Sequence, residues 1–369
     1  MAFSIPDFSK MFSQEAHSVL GVDIGTSAIK VVQLRREKGK VILETYGAIS
    51  LGPYAGVEIG RATSLPADKI SEALKDVIRE ANVTTADAAI SIPYSSSLIS
   101  IIKLPATVEK QLAQVVPIEA RKYIPVPINE VLLDWFVVGN DKAAAKGEQD
   151  KIEVLLVAIH NDTIAKFRAI ASDAALAVAF FEIEVFSAVR AALEHGLAPV
   201  AVVDMGAATT KFYVVERGLI HESHIINQGS QNLTLAASRA LNISVMEAEE
   251  RKRKVGLAPT AAQQNEVTAQ LVQSFELSLA PLLSELSRTI VGYEQRTNQT
   301  LSTLVATGGG AALKGFKEFA QSKIPNEIRL ADPFGKTQAP AFLEGILKEA
   351  GPEFAVAVGL ALRRLQEVG

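Results

Sequence analysis

Residues 19–36, "VLGVDIGTSAIKVVQLRR", set two apolar, β-branched runs on either side of a short polar break, a pattern that predicts two strands joined by a tight turn. Strand-like runs punctuated by Gly39, Gly47, Gly52, Gly56 and Gly60 continue to residue 60, and "KISEALKDVIREA" (69–81) carries apolar positions at helical spacing. These make one α/β unit. Short strands broken by prolines follow at 88–105, then a helix over 107–130 that stops at its proline-rich end. "VLLDWFVV" and "KIEVLLVAI" read as strands joined by a polar loop, 139–150, and 161–176 as a helix capped by Asn161. Residues 86–177 thus predict a compact α+β insert.

The α/β pattern restarts near residue 200 with "VVDMGAATTKFYVV" (202–215). Two mainly helical stretches come next. In 230–256 the second helix opens with a capping box, Ser244 and Glu247, and closes at Gly256; 263–299 is a long helix interrupted at Pro281. A strand at 301–306 runs into three glycines, and "PEFAVAVGLALRRLQ" predicts a closing helix. The plan is α/β, two halves with an insert in each.

Composition narrows the chemistry. The 369 residues suffice for two to three domains, and 48% apolar content fits a globular protein. Lys and Arg number 37 against 41 Asp and Glu, a net charge of −4, so no global field attracts nucleic acid. With no cysteine there are no disulfides, thiolate zinc sites, iron–sulfur clusters or Cys nucleophiles, and five scattered histidines suggest no metal centre. The N-terminus lacks the pattern of a signal peptide, and no run of about 18 apolar residues predicts a membrane span. Phe3, Ile5, Phe8, Met11 and Phe12 could form a short docking face, interrupted by Pro6; a disordered or packed tail is the plainer reading.

The polar break of the first run holds the candidate chemistry. Asp23 is followed by Gly25, Thr26 and Ser27; with Asp204 laid on Asp23, Gly206 falls on Gly25 and Lys211 on Lys30. A tight turn of small residues exposes consecutive N–H groups to phosphate oxygens, and Thr26, Ser27, Thr209 and Thr210 add hydroxyl donors. Two such turns can clamp one polyphosphate. Two carboxylates beside it make sense with a divalent cation between, and Mg²⁺ keeps most of its waters, so Asp23 and Asp204 would act through water. Lys30 or Lys211 could add positive charge, although strand alternation could equally send either outward. The third element, "LVATGGGAALKGF" (304–316), is a strand, three glycines and then a helix, whose N-terminus would favour an anion or a polar edge. Any one of these elements is ordinarily a plain strand turn; the combination in this order is not.

In that order the motifs resemble those of the actin/Hsp70/sugar-kinase superfamily, whose two halves close on ATP and Mg²⁺. Within it, "EARKYIPVPINEVLLDW" (119–135), "AEERKRKVG" (248–256) and "GPEFAVAVGLALR" (351–363) are similar to the PilM family, actin-like proteins of type IV pilus assembly related to the division protein FtsA. The resemblance implies a two-lobed, ribonuclease H-like ATPase fold. Core subdomain 1A would comprise 16–85 with 178–198 and 352–369, behind a tail of 1–15; 1C would be the insert 86–177. Core 2A would comprise 199–229 with 300–351, and helical 2B 230–299.

Carried over residue by residue, the resemblance places Gly25, Thr26, Ser27 and Lys30 at the first phosphate turn and Gly206, Ala207, Ala208 and Thr209 at the second. Gly308, Gly309 and Gly310 face the adenosine, and Glu249 and Lys252, three apart on one helical face, serve a ribose hydroxyl and the adenine region. Read without the resemblance, "EAEERKRK" is a solvated charge run. For hydrolysis, Glu184 in "FEIEVFSAV" would orient water, with Glu182 a nearby competitor and Val185 where relatives carry proline. The function implied is an ATP-binding scaffold with at most slow turnover, cytoplasmic and recruited to the inner membrane. It would bind the cytoplasmic tail of a PilN-like membrane protein in a groove between 86–177 and subdomain 1A, and other platform proteins besides; self-association stays open. The alternatives are an FtsA-like division protein, which would ordinarily end in a basic amphipathic helix, and a small-molecule kinase, which needs an acceptor pocket.

Overall fold

A computed structural model describes residues 17–141, 151–194, 196 and 198–368; the tail 1–15 and most of the polar loop 139–150 lie outside the described residues. Strands β1 (Ser18–Ile24), β2 (Ala28–Glu37) and β3 (Lys40–Ser50) form an antiparallel meander, followed by α1 (Ala67–Glu80) and β4 (Asp87–Ile92). β4 lies parallel to β1 in the same sheet. The insert follows as β5 (Ser97–Pro105), α2 (Leu112–Ala120), β6 (Val131–Asp141), β7 (Lys151–His160) and α3 (Asn161–Asp173). β8 (Ala177–Ile183) then closes the first sheet in the order β3-β2-β1-β4-β8 and leads into α4 (Glu184–Ala192).

The second lobe repeats the design. β9 (Val200–Met205), β10 (Thr210–Glu216) and β11 (Leu219–Ile226) form a meander, with α5 (Ser230–Leu241), α6 (Val245–Val255) and α7 (Glu266–Thr297) inserted. β12 (Thr303–Thr307), α8 (Phe316–Gln321) and β13 (Glu327–Leu330) complete a sheet of order β11-β10-β9-β12-β13, and α9 (Glu344–Val368) returns to the first lobe. In both sheets the central strand, β1 or β9, is almost wholly buried, so each reads as an unbroken apolar run. The insert has its own three-stranded sheet, β5-β7-β6. From Val154 to Ile159 β7 is an unbroken apolar run because its faces serve different cores: Ile152, Val154 and Leu156 pack within the insert, while Leu155, Val157 and Ile159 join the core of the first lobe.

Several expected boundaries move. The insert begins after Ile92 rather than at 86, because β4 belongs to the first sheet. The helix expected over 107–130 is a 3₁₀ segment, Ala106–Gln111, followed by the short α2; Pro125 and Pro127 hold their predecessors extended, so it ends well before them. Asn161 is not a cap: His160 takes that position, and the Asn161 amide donates to the carbonyl of Asn129 at 2.9 Å. Pro281 does not interrupt α7, since the carbonyl it leaves unbonded belongs to Leu277 on the solvent face. Likewise α9 starts at Glu344 and carries Pro352 inside it. The capping box forms by half, with Ser244 accepting from the Glu247 N–H while the Glu247 carboxylate pairs with Arg251.

Candidate functional site: a cleft between two matching turns

In the β1–β2 hairpin, Asp23 stands opposite Lys30, and the Gly25 N–H closes the turn on the Ala28 carbonyl at 3.1 Å. In the β9–β10 hairpin, Asp204 stands opposite Lys211, and Gly206 closes on Thr209 at 3.0 Å. The two turns are the same structure built twice. Register decides where the lysines point: each ammonium lies beside its own aspartate, Lys30 at 3.9 Å from Asp23 and Lys211 at 2.9 Å from Asp204.

Asp23 accepts a hydrogen bond from Ser91 at 3.0 Å, and burial raises its pKa, with Lys30 opposing. Lys211 also reaches Glu184 at 2.7 Å. Burial disfavours its charge, but Asp204 and Glu184 overcome this and hold the ammonium protonated well above the ordinary range. The other Glu184 oxygen accepts the Tyr94 N–H at 2.7 Å. Its competitor Glu182 is buried against Ser187, Arg190 and Arg363 and faces no cleft. Thr210 also turns away, its hydroxyl donating to the Gln228 carbonyl at 2.7 Å.

The glycine turn closes the cleft from the second lobe. Gly308 has φ 84° and packs so closely that a Cβ there would lie 2.4 Å from Asp204 Oδ1. Its N–H donates to the Pro352 carbonyl, and that of Gly310 to the Met205 carbonyl, both at 2.8 Å. The expected helix does not open just after the glycines. Residues 308–313 wrap in successive turns and α8 starts only at Phe316, so the α8 N-terminus is set back from the three glycines.

On α6 the charge run is not solvated at its key positions. Glu249 and Lys252 are buried 2.6 Å apart, both bonded to the Thr234 hydroxyl on α5. Burial opposes ionisation of Glu249, but Lys252, Thr234 and Arg253 outweigh it and its carboxyl titrates below the usual range.

These parts face two adjoining cavities. One, of about 320 Å³, is lined by Gly60, Leu233, Glu249, Lys252, Gly310 and Leu313; the other, of about 310 Å³, by Asp23, Gly25, Thr26, Glu184, Asp204, Ala208, Thr209, Lys211 and Gly308. Ser27, Lys30, Gly206, Ala207, Gly309 and Glu353 border both, so the cleft is continuous. Apart from Thr210 and Glu182, the structure thus brings the candidate site residues to one place. Sequence reasoning missed Ser91, Thr234, Gly60 and Glu353; only Ser91 had a signal, as a hydroxyl near the end of a strand that pairs beside β1. Among the described residues no group of three or more His, Asp or Glu gathers as direct metal ligands. Asp23 and Asp204, each beside an ammonium, suit a hydrated cation at one remove.

A family model described as "Type IV pilus assembly protein PilM" matches residues 21–365. The cell division protein FtsA of Streptococcus pneumoniae is 24% identical over 351 residues, 85% of this chain and 77% of that protein. FtsA of Helicobacter pylori strain J99 is 32% identical over 187 residues, 44% of this chain but only about a third, 36%, of that protein. Among solved structures, a PilM–PilN type IV pilus biogenesis complex superposes with a TM-score of 0.76 at 23% identity, covering 94% of this chain and 98% of that one. MreB 5 of Spiroplasma citri, bound to AMPPNP, gives 0.50 at 11% identity over 96% and 98% of the two chains. The fold is actin-like.

Proposed function

The chain belongs to the type IV pilus assembly protein PilM family, and on that premise we propose that it is an ATP-binding scaffold whose cleft takes the nucleotide between its two lobes. The observation that carries this is the pair of identical hairpin turns facing one cleft, each with its N–H groups, its aspartate and its lysine. Gly25, Thr26, Ser27 and Lys30 on one side and Gly206 to Thr209 on the other hold the phosphates. Glu249 and Lys252 serve the ribose and the adenine edge, and the glycine loop, Gly308 to Gly310, lies along the adenosine.

Three carboxylates at the cleft floor, Asp23, Glu184 and Asp204, face two ammonium groups, so a polyphosphate enters a site already slightly negative. Mg²⁺, when bound, neutralises phosphate charge, and Asp23 and Asp204 hold its waters. Glu184 is the carboxylate that the family resemblance assigns to orient an attacking water, and its two oxygens are held by the Lys211 ammonium and the Tyr94 N–H. With Val185 where relatives carry proline after this glutamate, and with no acceptor pocket assigned among the described residues, turnover is far below the roughly 1–100 s⁻¹ of kinases.

The partner is the cytoplasmic tail of a PilN-like membrane protein, which recruits the chain to the inner membrane. A groove of about 500 Å³ between insert and first lobe, lined by Leu132, Ile164, Arg168, Val178, Phe180 and Phe181, offers it a seat. β8 is the edge of its sheet and Leu132 is exposed on the edge strand β6, so an extended peptide finds unpaired backbone and apolar pockets together. No helix of the described residues is long and apolar enough to cross a membrane.

Isothermal titration tests the nucleotide reading: wild type should bind Mg·ATP, and Asp204→Ala should weaken binding about ten- to hundredfold, the loss of one or two charge-assisted contacts. Unchanged affinity would remove the site. Brisk acceptor-dependent ATP consumption with a panel of small molecules would favour a kinase. The FtsA match favours a second reading, a membrane-bound division protein; flotation with partner-free anionic liposomes would reveal it.

A further inference from the structure

Lys211 stands on β10 of the second lobe, and its ammonium joins two carboxylates from different lobes: Asp204 on β9, at 2.9 Å, and Glu184 at the first turn of α4, at 2.7 Å. The side chains of Lys211 and Glu184 are only 12% and 15% exposed, so water screens the pair weakly. Tyr94, whose N–H holds the other Glu184 oxygen, makes a second contact across the lobes through its hydroxyl and Ser223 on β11. Two residues along the same face of β10, the Tyr213 hydroxyl is buried with no hydrogen-bond partner among the described residues. An uncommitted donor therefore lies close to the bridge.

The bridge also faces the cavity bordered by both phosphate turns. A lysine ammonium is a compact point charge on a flexible stem with three donors. A polyphosphate placed between the turns, with about three to four negative charges, competes for it directly. Asp204 is the neighbour that Lys211 keeps by strand register; Glu184 belongs to the other lobe and is the partner it can lose.

We propose that Lys211 is a nucleotide-responsive latch between the lobes, tying Glu184 to Asp204 until phosphate oxygens draw it away. The inference rests on the nucleotide reading above. Two consequences follow from the geometry. The tie between the lobes passes from a protein ion pair to the ligand, which gives bound nucleotide the differential interaction a conformational shift requires. Glu184, held then only by the Tyr94 N–H, has an oxygen free to accept a water in the loaded cleft alone, which couples any hydrolysis to phosphate occupancy.

The test titrates Mg·ATP into the full chain as wild type, Glu184→Gln and Lys211→Gln, with hydrogen exchange of residues 93–96 and 184–187 followed with and without nucleotide. The latch predicts opposite signs: Glu184→Gln tightens binding about three- to tenfold because the lysine is already free, and Lys211→Gln weakens it tenfold or more. In wild type the exchange of both segments should change on binding, and in Glu184→Gln it should stay nearly constant. A merely structural pair would weaken binding in both variants, and that result overturns the latch. If Lys211→Gln fails to fold, Glu184→Gln decides alone: tighter binding supports the latch, equal or weaker binding overturns it. Wild type that takes no Mg·ATP would instead overturn the nucleotide reading, and the latch with it.

Discussion

Gly308, Gly309 and Gly310 stand in a row and do different work. Gly308 is needed by the fold: its φ of 84° and a would-be Cβ at 2.4 Å from Asp204 Oδ1 exclude any side chain. Gly310 backs onto Met205, whose Cγ would lie 2.3 Å from an added Cβ. Gly309 is different, since its nearest neighbour would be Glu353 Oε2 at 3.4 Å, and it borders both cavities. The protein's own packing leaves that position open; only a ligand approaching the backbone demands glycine there. Gly309→Val should therefore fold with a melting temperature near wild type and lose Mg·ATP binding in a titration. Gly308→Ala should cost about 1–3 kcal/mol in thermal or urea unfolding. A run of three glycines reads alike at every position, so this division was not legible in the sequence. The repeated Asp-to-Lys spacing was, but strand alternation left open where each lysine points, and only the register of the closed hairpin sets it beside its aspartate.

Helix α9 is held to the first sheet by charges as well as by its apolar face. Arg364 makes a two-pronged contact with Asp87 at the start of β4, at 2.9 and 3.0 Å, and Arg363 reaches Glu182 on β8, which Arg190 of α4 also grips. Burial of Glu182 works against its ionisation, but Arg190, Ser187 and Arg363 prevail, and its carboxyl titrates below the ordinary 4.5. A carboxyl depressed in this way adds stability that is present above its unfolded value and is lost as the pH falls through its folded value. Glu182→Gln should thus cost about 2–3 kcal/mol near neutral pH, less than the ~3–5 of a fully buried pair because both arginines reach water. The gap to wild type should narrow as urea unfolding is repeated toward about pH 4 and below; a gap independent of pH would mean that packing, not charge, sets the cost. At this scale the sequence misled where proline was concerned. Pro281 read as an interruption and Pro352 as the first residue of the closing helix, yet each lies within a continuous helix, and Pro352 lends its carbonyl to the Gly308 N–H and the Thr307 hydroxyl. Tertiary contact decides what a helix proline does, and periodicity carries no trace of it.

The molecule as a whole is two copies of one sheet plan with different inserts, and the copies share a cleft. That duplication was legible because the Asp–turn–Lys hairpin recurs; the edge of the first insert was not, because the apolar run of β4 would look the same in either sheet. The groove between insert and first lobe was equally invisible, as it joins Leu132 to residues 159–181 only through the way the insert folds back. Its placement carries a prediction about communication. Its lining comes from β6, β7, α3, β8 and Leu176 between the last two, all parts of the first lobe and its insert, whereas nucleotide acts between the lobes. The covalent route between them is short, from Phe181 through Ile183 into Glu184, but β8 is fixed along its length by parallel pairing with β4. Rigid-body movement of one lobe against the other leaves such a groove unchanged. The affinity of a PilN-like tail peptide for the full chain should then differ by less than about threefold with and without Mg·ATP, and the peptide should shift ATP affinity by the same small factor, since coupling between two binding equilibria is reciprocal. Leu132→Glu, exposed on an edge strand, should weaken the peptide tenfold or more while leaving ATP binding intact. A coupling well above threefold in both directions would show that β8 itself shifts when Glu184 is released, making the start of α4 the point where the cleft and the groove communicate.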